Sequence, residues 1–285
     1  MSKKATPHDD LFTLSRHAPR RIHVGIGGWT FVPWRNNFYP EKMPQKRELE
    51  FASRRLTSIE VNGTFYGAQK PATYAKWASE TPEGFVFSLK APRYCTDRRV
   101  LAEAGKTIED FVSGGLSEIG EKLGPILWQF EPRHVFDRDD FARFLDLLPQ
   151  ELDGRKLRHV LEVRSKSFLC DEFLALAREH RTPTVFTDSP DYPSFADITG
   201  DFVYSRLMRS EAKIETGYPA KALDAWAQRA QQWAEGGEPD DLPKVQAEHS
   251  APKKPRDVYL YFISAAKERN PAAAQALAAR LEKKD

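Results

Sequence analysis

Eight short apolar runs alternate with stretches of helical periodicity along nearly the whole chain. That alternation limits the possible folds more than any other feature. The runs are Ile22–Gly27, Ser58–Asn62, Phe85–Lys90, Pro125–Phe130, His159–Arg164, Thr184–Asp188, Phe202–Arg206 and Val258–Phe262. Each is rich in Val, Ile, Leu and Phe, as expected of strands covered on both faces. Phe141, Phe144, Leu145 and Leu148 recur at helical spacing in one gap. Leu169, Phe173, Leu176 and Ala177 do so in the next, and Leu223, Trp226, Ala230 and Trp233 in a third. Thr107 to Leu123 reads as a helix weakened by Gly114-Gly115, and Pro271 opens a final Ala-rich helix. Two connections break the pattern. Ser189 to Asp201 is too short and too rich in Pro, Asp and Ser for a helix. Residues 235–256 form a Pro- and charge-rich insert, expected to be mobile.

Strands alternating with helices predict an α/β fold with a parallel sheet. Eight repeats after Ile22 in a chain of 285 residues match a closed (β/α)8 barrel, the TIM barrel, as a single domain over 22–285. Residues 1–21, polar and without periodicity, read as a flexible tail. An open doubly wound sheet is the alternative. The dinucleotide fingerprint is absent, because Gly25-Ile26-Gly27-Gly28 lacks a third glycine at the needed spacing. Those glycines are expected to keep the first strand end slim beside a bulky loop.

Composition closes off several function classes. Lys and Arg number 43 against 41 Asp and Glu, so net charge makes no case for nucleic acid. Two cysteines, Cys95 and Cys170, exclude a disulfide scaffold and a four-cysteine zinc site. No apolar stretch approaches the ~18 residues of a membrane span, so no membrane partner is expected. The N-terminus lacks the apolar segment of a signal peptide, which points to the cytoplasm. Nothing in the sequence speaks to oligomeric state.

Strands buried on both faces should be apolar, yet these turn polar at their C-terminal ends. The ends read Glu60-Val61-Asn62, Ser88-Leu89-Lys90, Trp128-Gln129, Glu162-Val163-Arg164, Thr187-Asp188 and Tyr204-Ser205-Arg206. Side chains two apart share a face, so Glu60 with Asn62, Ser88 with Lys90 and Glu162 with Arg164 oppose their apolar neighbours. If the apolar set faces the helices, then Glu60, Lys90, Gln129, Glu162, Arg164, Asp188 and Arg206 converge at the C-terminal mouth. Barrel active sites are found at that end. The competing reading is an internal ion-pair network that plugs the barrel.

The loops above that mouth add Trp29, Phe31, Trp34, Phe38 and Tyr39, then Phe65 and Tyr66. Phe38 and Tyr39 are expected to pack within their own loop, whereas Trp29 and Tyr66 lie nearer strand ends and are the better ligand contacts. Arg93, Arg98, Arg99, Arg133 and Arg209 follow strand ends and point to an anionic ligand. No histidine stands at a C-terminal strand end, which argues against a multi-histidine zinc site; His23 and His159 occupy strand starts on the wrong face. No cofactor is expected. A hard cation such as Mg²⁺ on Glu60, Glu162 or Asp188 is compatible with the residue types but has no further support. Cys95, in a loop after the third strand, is a weak nucleophile candidate.

Several segments together resemble the domain-of-unknown-function family 72, the YecE-like proteins. They are Gly25-Ile26-Gly27-Gly28-Trp29 with Trp34 and Phe38-Tyr39-Pro40; Glu60-Val61-Asn62-Gly63-Thr64-Phe65-Tyr66 with Pro71 and Trp77; and Phe85 to Lys90. Leu123 to Phe130, Glu162-Val163-Arg164 and Phe202 to Leu207 complete the set. The resemblance implies a TIM barrel and no settled reaction. It places Trp29, Glu60, Asn62, Tyr66, Lys90, Gln129, Glu162, Arg164 and Arg206 at characteristic positions. The chain departs from that pattern at Thr96-Asp97, Met208-Arg209 and Ile263-Ser264, where many members carry Thr-His, His-Gly and Asn-Asn.

Three functions compete at this stage. The first is an enzyme, in its plainest form a hydrolase, acting on an anionic phosphate- or sugar-containing small molecule. Glu60 and Glu162 would be acid and base, with Asp188 and Lys90 as further catalytic candidates. Trp29, Asn62, Tyr66, Gln129, Arg164 and Arg206 would bind the substrate. A Schiff base on Lys90 is a variant. The second is a nucleic-acid-associated barrel, with arginines on phosphates and aromatic rings on unpaired bases. The third is a non-catalytic barrel that binds a ligand or a protein.

Overall fold

The computed structural model describes residues 21–282. The expected N-terminal tail lies outside the described residues apart from Arg21. Eight parallel strands form the barrel: β1 Ile22–Gly27, β2 Ser58–Val61, β3 Val86–Lys90, β4 Leu123–Phe130, β5 His159–Val163, β6 Val185–Thr187, β7 Phe202–Leu207 and β8 Asp257–Phe262. Each of the first five pairs with its chain neighbours, β6 to β8 do the same, and β1 pairs with β8 over five residues. The remaining seam, β5 to β6, is joined by one bridge, Leu161 to Thr184, with Leu161 N–H donating to Pro183 O at 2.9 Å. The fold is therefore the expected single-domain TIM barrel and not an open sheet.

Helices cover the outside of the wall. They are α1 Glu48–Ser53, α2 Pro71–Glu80, α3 Arg93–Thr96, α4 Gly105–Ser113, α5 Arg138–Asp146, α6 Asp171–Glu179, α7 Ala220–Ala234 and α8 Asn270–Glu282. The expected helix from Thr107 to Leu123 is broken. It ends as α4 before Gly114, and Gly115 takes φ +117°, a left-handed value that only glycine adopts cheaply. As expected, no helix follows β6 among the described residues. The insert 235–256 covers part of that position with neither helix nor strand, and specific bonds hold its backbone. The buried Asp197 carboxylate accepts the N–H groups of Val245 and Gln246 at 2.8 and 3.0 Å, and Ala196 N–H donates to Pro243 O at 2.7 Å. Lys244 pairs with Glu238 at 2.7 Å, and buried Arg256 donates to Gly237 O and Pro252 O.

Alternation along the strands divides the apolar residues into two clusters. The larger lies between wall and helices and contains Ile59, Phe87, Trp128, Leu161 and Leu260. The smaller fills the barrel axis with Leu127, Val160, Val185, Phe202, Tyr204, Tyr259, Tyr261 and Ile263. The glycines of β1 serve this inner cluster and not a loop. A Cβ on Gly25 would lie 2.1 Å from Ser58 O and 3.2 Å from the Tyr261 ring, and one on Gly27 would meet Ile263 and Asn62. His23 lies at the N-terminal end of the same interior, stacked 4.8 Å from Tyr259, so its expected outward placement is corrected.

Candidate functional site

Above the inner apolar cluster lies a layer of hydroxyls. Ser58 Oγ lies 2.6 Å from Tyr261 OH and donates to Val86 O, and Ser88 Oγ lies 2.8 Å from Tyr204 OH. The charged groups follow one level higher. Arg206, on β7, crosses the barrel to β2. Its Nε and Nη2 donate to the two oxygens of Glu60 at 3.1 and 3.0 Å, a bidentate fork. Its Nη1 donates to Glu162 Oε1, on β5, at 2.6 Å. Tyr204 OH and Asn62 Nδ2 complete the shell of Glu60 at 2.8 and 2.9 Å. Arg164 donates to Glu162 Oε1 through Nε and Nη2, and to Tyr192 OH through Nη1 at 3.2 Å. The Tyr192 ring lies 4.1 Å from its guanidinium carbon. Arg206, Glu60 and Glu162 are all buried.

Lys90 behaves differently. It is 7% exposed, its Nζ sits 3.7 Å over the Phe65 ring, and among the described residues that Nζ has no hydrogen bond or ion pair. Burial, assisted by the neighbouring Arg206 cation, lowers its pKa to about 8, against the opposing pull of Glu162 and Glu60. Glu162 shifts the opposite way. Burial alone would raise its pKa, but Arg206, Arg164 and Lys90 outweigh that and hold it at about 2. Arg206 stays charged, because its two carboxylate partners overcome its burial.

The structure thus brings together Glu60, Asn62, Lys90, Glu162, Arg164 and Arg206. Gln129 is buried beside Glu162 across the β4–β5 ladder. Other candidates have different surroundings. Asp188 is held by the loop after β7: Met208 N–H donates to Oδ1 at 2.5 Å and Tyr218 OH to Oδ2 at 3.1 Å. Burial raises its pKa. Trp29 packs edge-on against Trp77 and Phe87, which belongs to the outer core, with ring centroids 5.1 and 6.4 Å away. Trp29 is only half-buried, so part of its surface is left open. Tyr66 is exposed and touches Phe65. Trp34 and Tyr39 are buried, as a self-packing loop requires, and Trp34 Nε1 donates to Lys267 O at 2.8 Å.

The expected ring of free arginines is mostly engaged. Asp97 pairs with both Arg93 and Arg133; Arg98 donates to Tyr94 O and Glu103 O; and Arg209 donates to Asp188 O. Cys95 is buried, its Sγ donates weakly to Thr107 O at 3.6 Å, and burial raises its pKa to about 11, which removes it as a nucleophile. Sequence reading missed Tyr204, Tyr192 and Phe65 as partners of the charged groups. Tyr204 stands two residues before Arg206, so strand alternation could have found it. Tyr192 lies in an irregular loop with no period to follow.

A divalent cation would find few open carboxylate oxygens here, Glu162 Oε2 being the one left without a donor among the described residues. Both oxygens of Glu60 and of Asp188 accept from arginine, tyrosine, asparagine or backbone N–H groups, and Glu162 Oε1 takes two arginines. Among the described residues no three His, Cys, Asp or Glu converge as a metal site, and no helix is long and apolar enough to cross a membrane.

Fold and site together define a TIM-barrel protein with a dense charged cluster at the C-terminal ends of its strands. The chain belongs to the family described as "Protein of unknown function DUF72", whose model matches residues 23–285. The UPF0759 protein YunF of Bacillus subtilis is 28% identical over 116 residues, a match spanning 39% of this chain and 40% of that protein. A DUF72 protein of Thermotoga maritima superposes with a TM-score of 0.70 at 18% identity, covering 93% of this chain and 100% of the other. One from Enterococcus faecalis gives 0.62 at 13% identity, covering 93% and 96%. These likenesses show the fold. Of the residues that follow β7 and β8, Ile263 joins the inner apolar cluster and Met208 packs against it. The β7–β8 side of the mouth is therefore apolar at those two positions.

Proposed function

We propose that the barrel mouth is an enzyme site for an anionic small molecule, with Lys90 as the group that exchanges a proton with substrate. In this reading Glu60 and Glu162 act as fixed counter-charges. The single observation that carries the reading is Lys90 itself: a largely buried side chain whose amine has no hydrogen bond among the described residues and lies among two carboxylates and two guanidinium groups. Its pKa of about 8 lies close to neutral pH, where a proton donor and acceptor works best. A carboxyl held at about 2 is a poor general base and no general acid near neutrality, so Glu162 is read as a counter-charge. Arg164 and Arg206 already bond Glu60 and Glu162, whereas Lys90 has no bonded carboxylate among the described residues and is the cation left open to an anion. The nucleic-acid alternative draws less support, because Arg93, Arg98, Arg133 and Arg209 already bond protein groups.

The test is calorimetric titration with inorganic phosphate, together with mass-spectrometric detection of turnover in a pool of phosphorylated and carboxylated small molecules. Phosphate binding at pH 7 should fall at least tenfold at pH 10 and vanish in Lys90→Met, and turnover should vanish with it. Binding and turnover that survive in Lys90→Met would remove Lys90 from the chemistry.

A further inference from the structure

The charged cluster does not satisfy itself. Gln129 Oε1 and Glu162 Oε2 are buried and have no hydrogen-bond partner among the described residues. Gln129 is 3% exposed and Glu162 2%. Their Cα atoms are register partners in the β4–β5 ladder, and both side chains point to the interior face. The orientation of the Gln129 amide is set by Nε2 donating to Glu131 Oε1 at 3.2 Å, so the atom left over is an acceptor. Glu162 concentrates its donors on one oxygen. Oε1 receives Arg206 at 2.6 Å and Arg164 at 3.1 and 3.3 Å, while Oε2 receives none. Leaving a buried acceptor unmatched costs about 1–3 kcal/mol, and more for a charged one. Both acceptors stand on neighbouring strands at the level of the charged cluster, where a ligand hydroxyl could supply the donor that the described residues do not.

The two acceptors and the cations beside them ask for different things. A carboxylate oxygen and an amide oxygen repel a bare anion and bind hydroxyl donors. Lys90 and Arg164 do the reverse. We infer that the ligand is a polyhydroxylated anion, such as a sugar phosphate or a sugar acid. Neighbouring hydroxyls would donate to Gln129 Oε1 and Glu162 Oε2, and the anionic group would face Lys90 and Arg164. This inference rests on reading the mouth as an anion-binding enzyme site, and it names the substrate class of that site. A site built to hydrogen-bond hydroxyls rejects an analogue that lacks them far more strongly than an apolar pocket rejects an extra methylene.

The experiment compares D-glucose 6-phosphate, D-fructose 6-phosphate and D-ribose 5-phosphate with hexyl and pentyl phosphate, by calorimetry at pH 7. At least one sugar phosphate should bind the wild type about tenfold or more tighter than either alkyl phosphate. Gln129→Met, which keeps the volume and removes the acceptor, should cut that preference to within about threefold and leave alkyl phosphate affinity in place. Equal affinity for sugar and alkyl phosphates in the wild type overturns the inference and spares the anion site. Failure of every phosphate to bind overturns both. If Gln129→Met does not fold, a crystal of the wild type with the tightest sugar phosphate decides. A hydroxyl within about 3 Å of Gln129 Oε1 or Glu162 Oε2 supports the inference. A sugar bound with both acceptors facing only water overturns it.

Discussion

Glu162 and Lys90 sit in one cluster and pull stability in opposite directions with pH. The folded pKa of Glu162, about 2, lies below its ordinary 4.5. Its stabilisation is therefore complete above about pH 4.5 and is lost as the pH falls toward 2. The wild type should lose on the order of 3 kcal/mol across that range, and Glu162→Gln should lack this component of the acid sensitivity in a series of thermal melts. At pH 7 the same variant should be less stable by about 3–5 kcal/mol, because Arg206 and Arg164 lose a buried partner. For Lys90 the folded value of about 8 lies below the ordinary 10.5. The unfolded chain then holds more protons between those values. The penalty is full below pH 8 and is relieved as the pH rises toward 10.5. Lys90→Met should raise the melting temperature at pH 7 by roughly 5 °C and show little gain above pH 10.5. A variant that melts lower at pH 7 would mean that the amine is a structural partner, contrary to the proposed role. A backbone site gives a separate prediction. Ala265 has φ +48°, a left-handed value that is costly for a residue with a Cβ. Ala265→Gly should gain about 1 kcal/mol in denaturant unfolding.

Among the elements, the insert 235–256 depends on one side chain more than on its own sequence. Asp197 takes two of its N–H groups, and the half-buried pair of Lys244 with Glu238 and the bonds of Arg256 fix its ends. Asp197→Ala leaves two donors unmet at a buried site and should cost about 2 kcal/mol. Limited proteolysis should then cut within 240–252 in the variant well before the wild type. Equal cleavage rates would show that the insert is held by something else. Nothing in the composition of the insert announced this anchoring, because a Pro- and charge-rich segment looks the same whether or not a carboxylate elsewhere receives it. The broken helix before β4 was more legible, since Gly114-Gly115 marks the place where the left-handed turn occurs.

For the barrel as a whole, closure is uneven. The β1–β8 seam has five paired residues, whereas β5 and β6 share one bridge and β6 is three residues long. Hydrogen exchange should find the amides of Leu161 and Val185–Thr187 opening at lower free energy than those of the β1–β8 seam. Uniform protection around the barrel would contradict this. What the sequence determined by itself is the class of fold and the level at which charge appears. Both rest on short-range rules. The strand repeat of two assigns Glu60, Lys90, Glu162 and Arg206 to one face, and the alternation with helical segments makes the strands parallel. The tertiary structure alone decided who meets whom. Arg206 reaches Glu60 from 146 residues away and Tyr204 reaches it from 144, a meeting that exists only once the first and last strands close the ring. Packing between neighbouring strands and loops gave Asp188 to Met208 and Tyr218, set Trp29 against the outer core and left Gln129 Oε1 and Glu162 Oε2 unmatched. Side-chain direction is a local property of the chain. Hydrogen-bond partnership depends on distances across a closed cylinder, and no local pattern carries those.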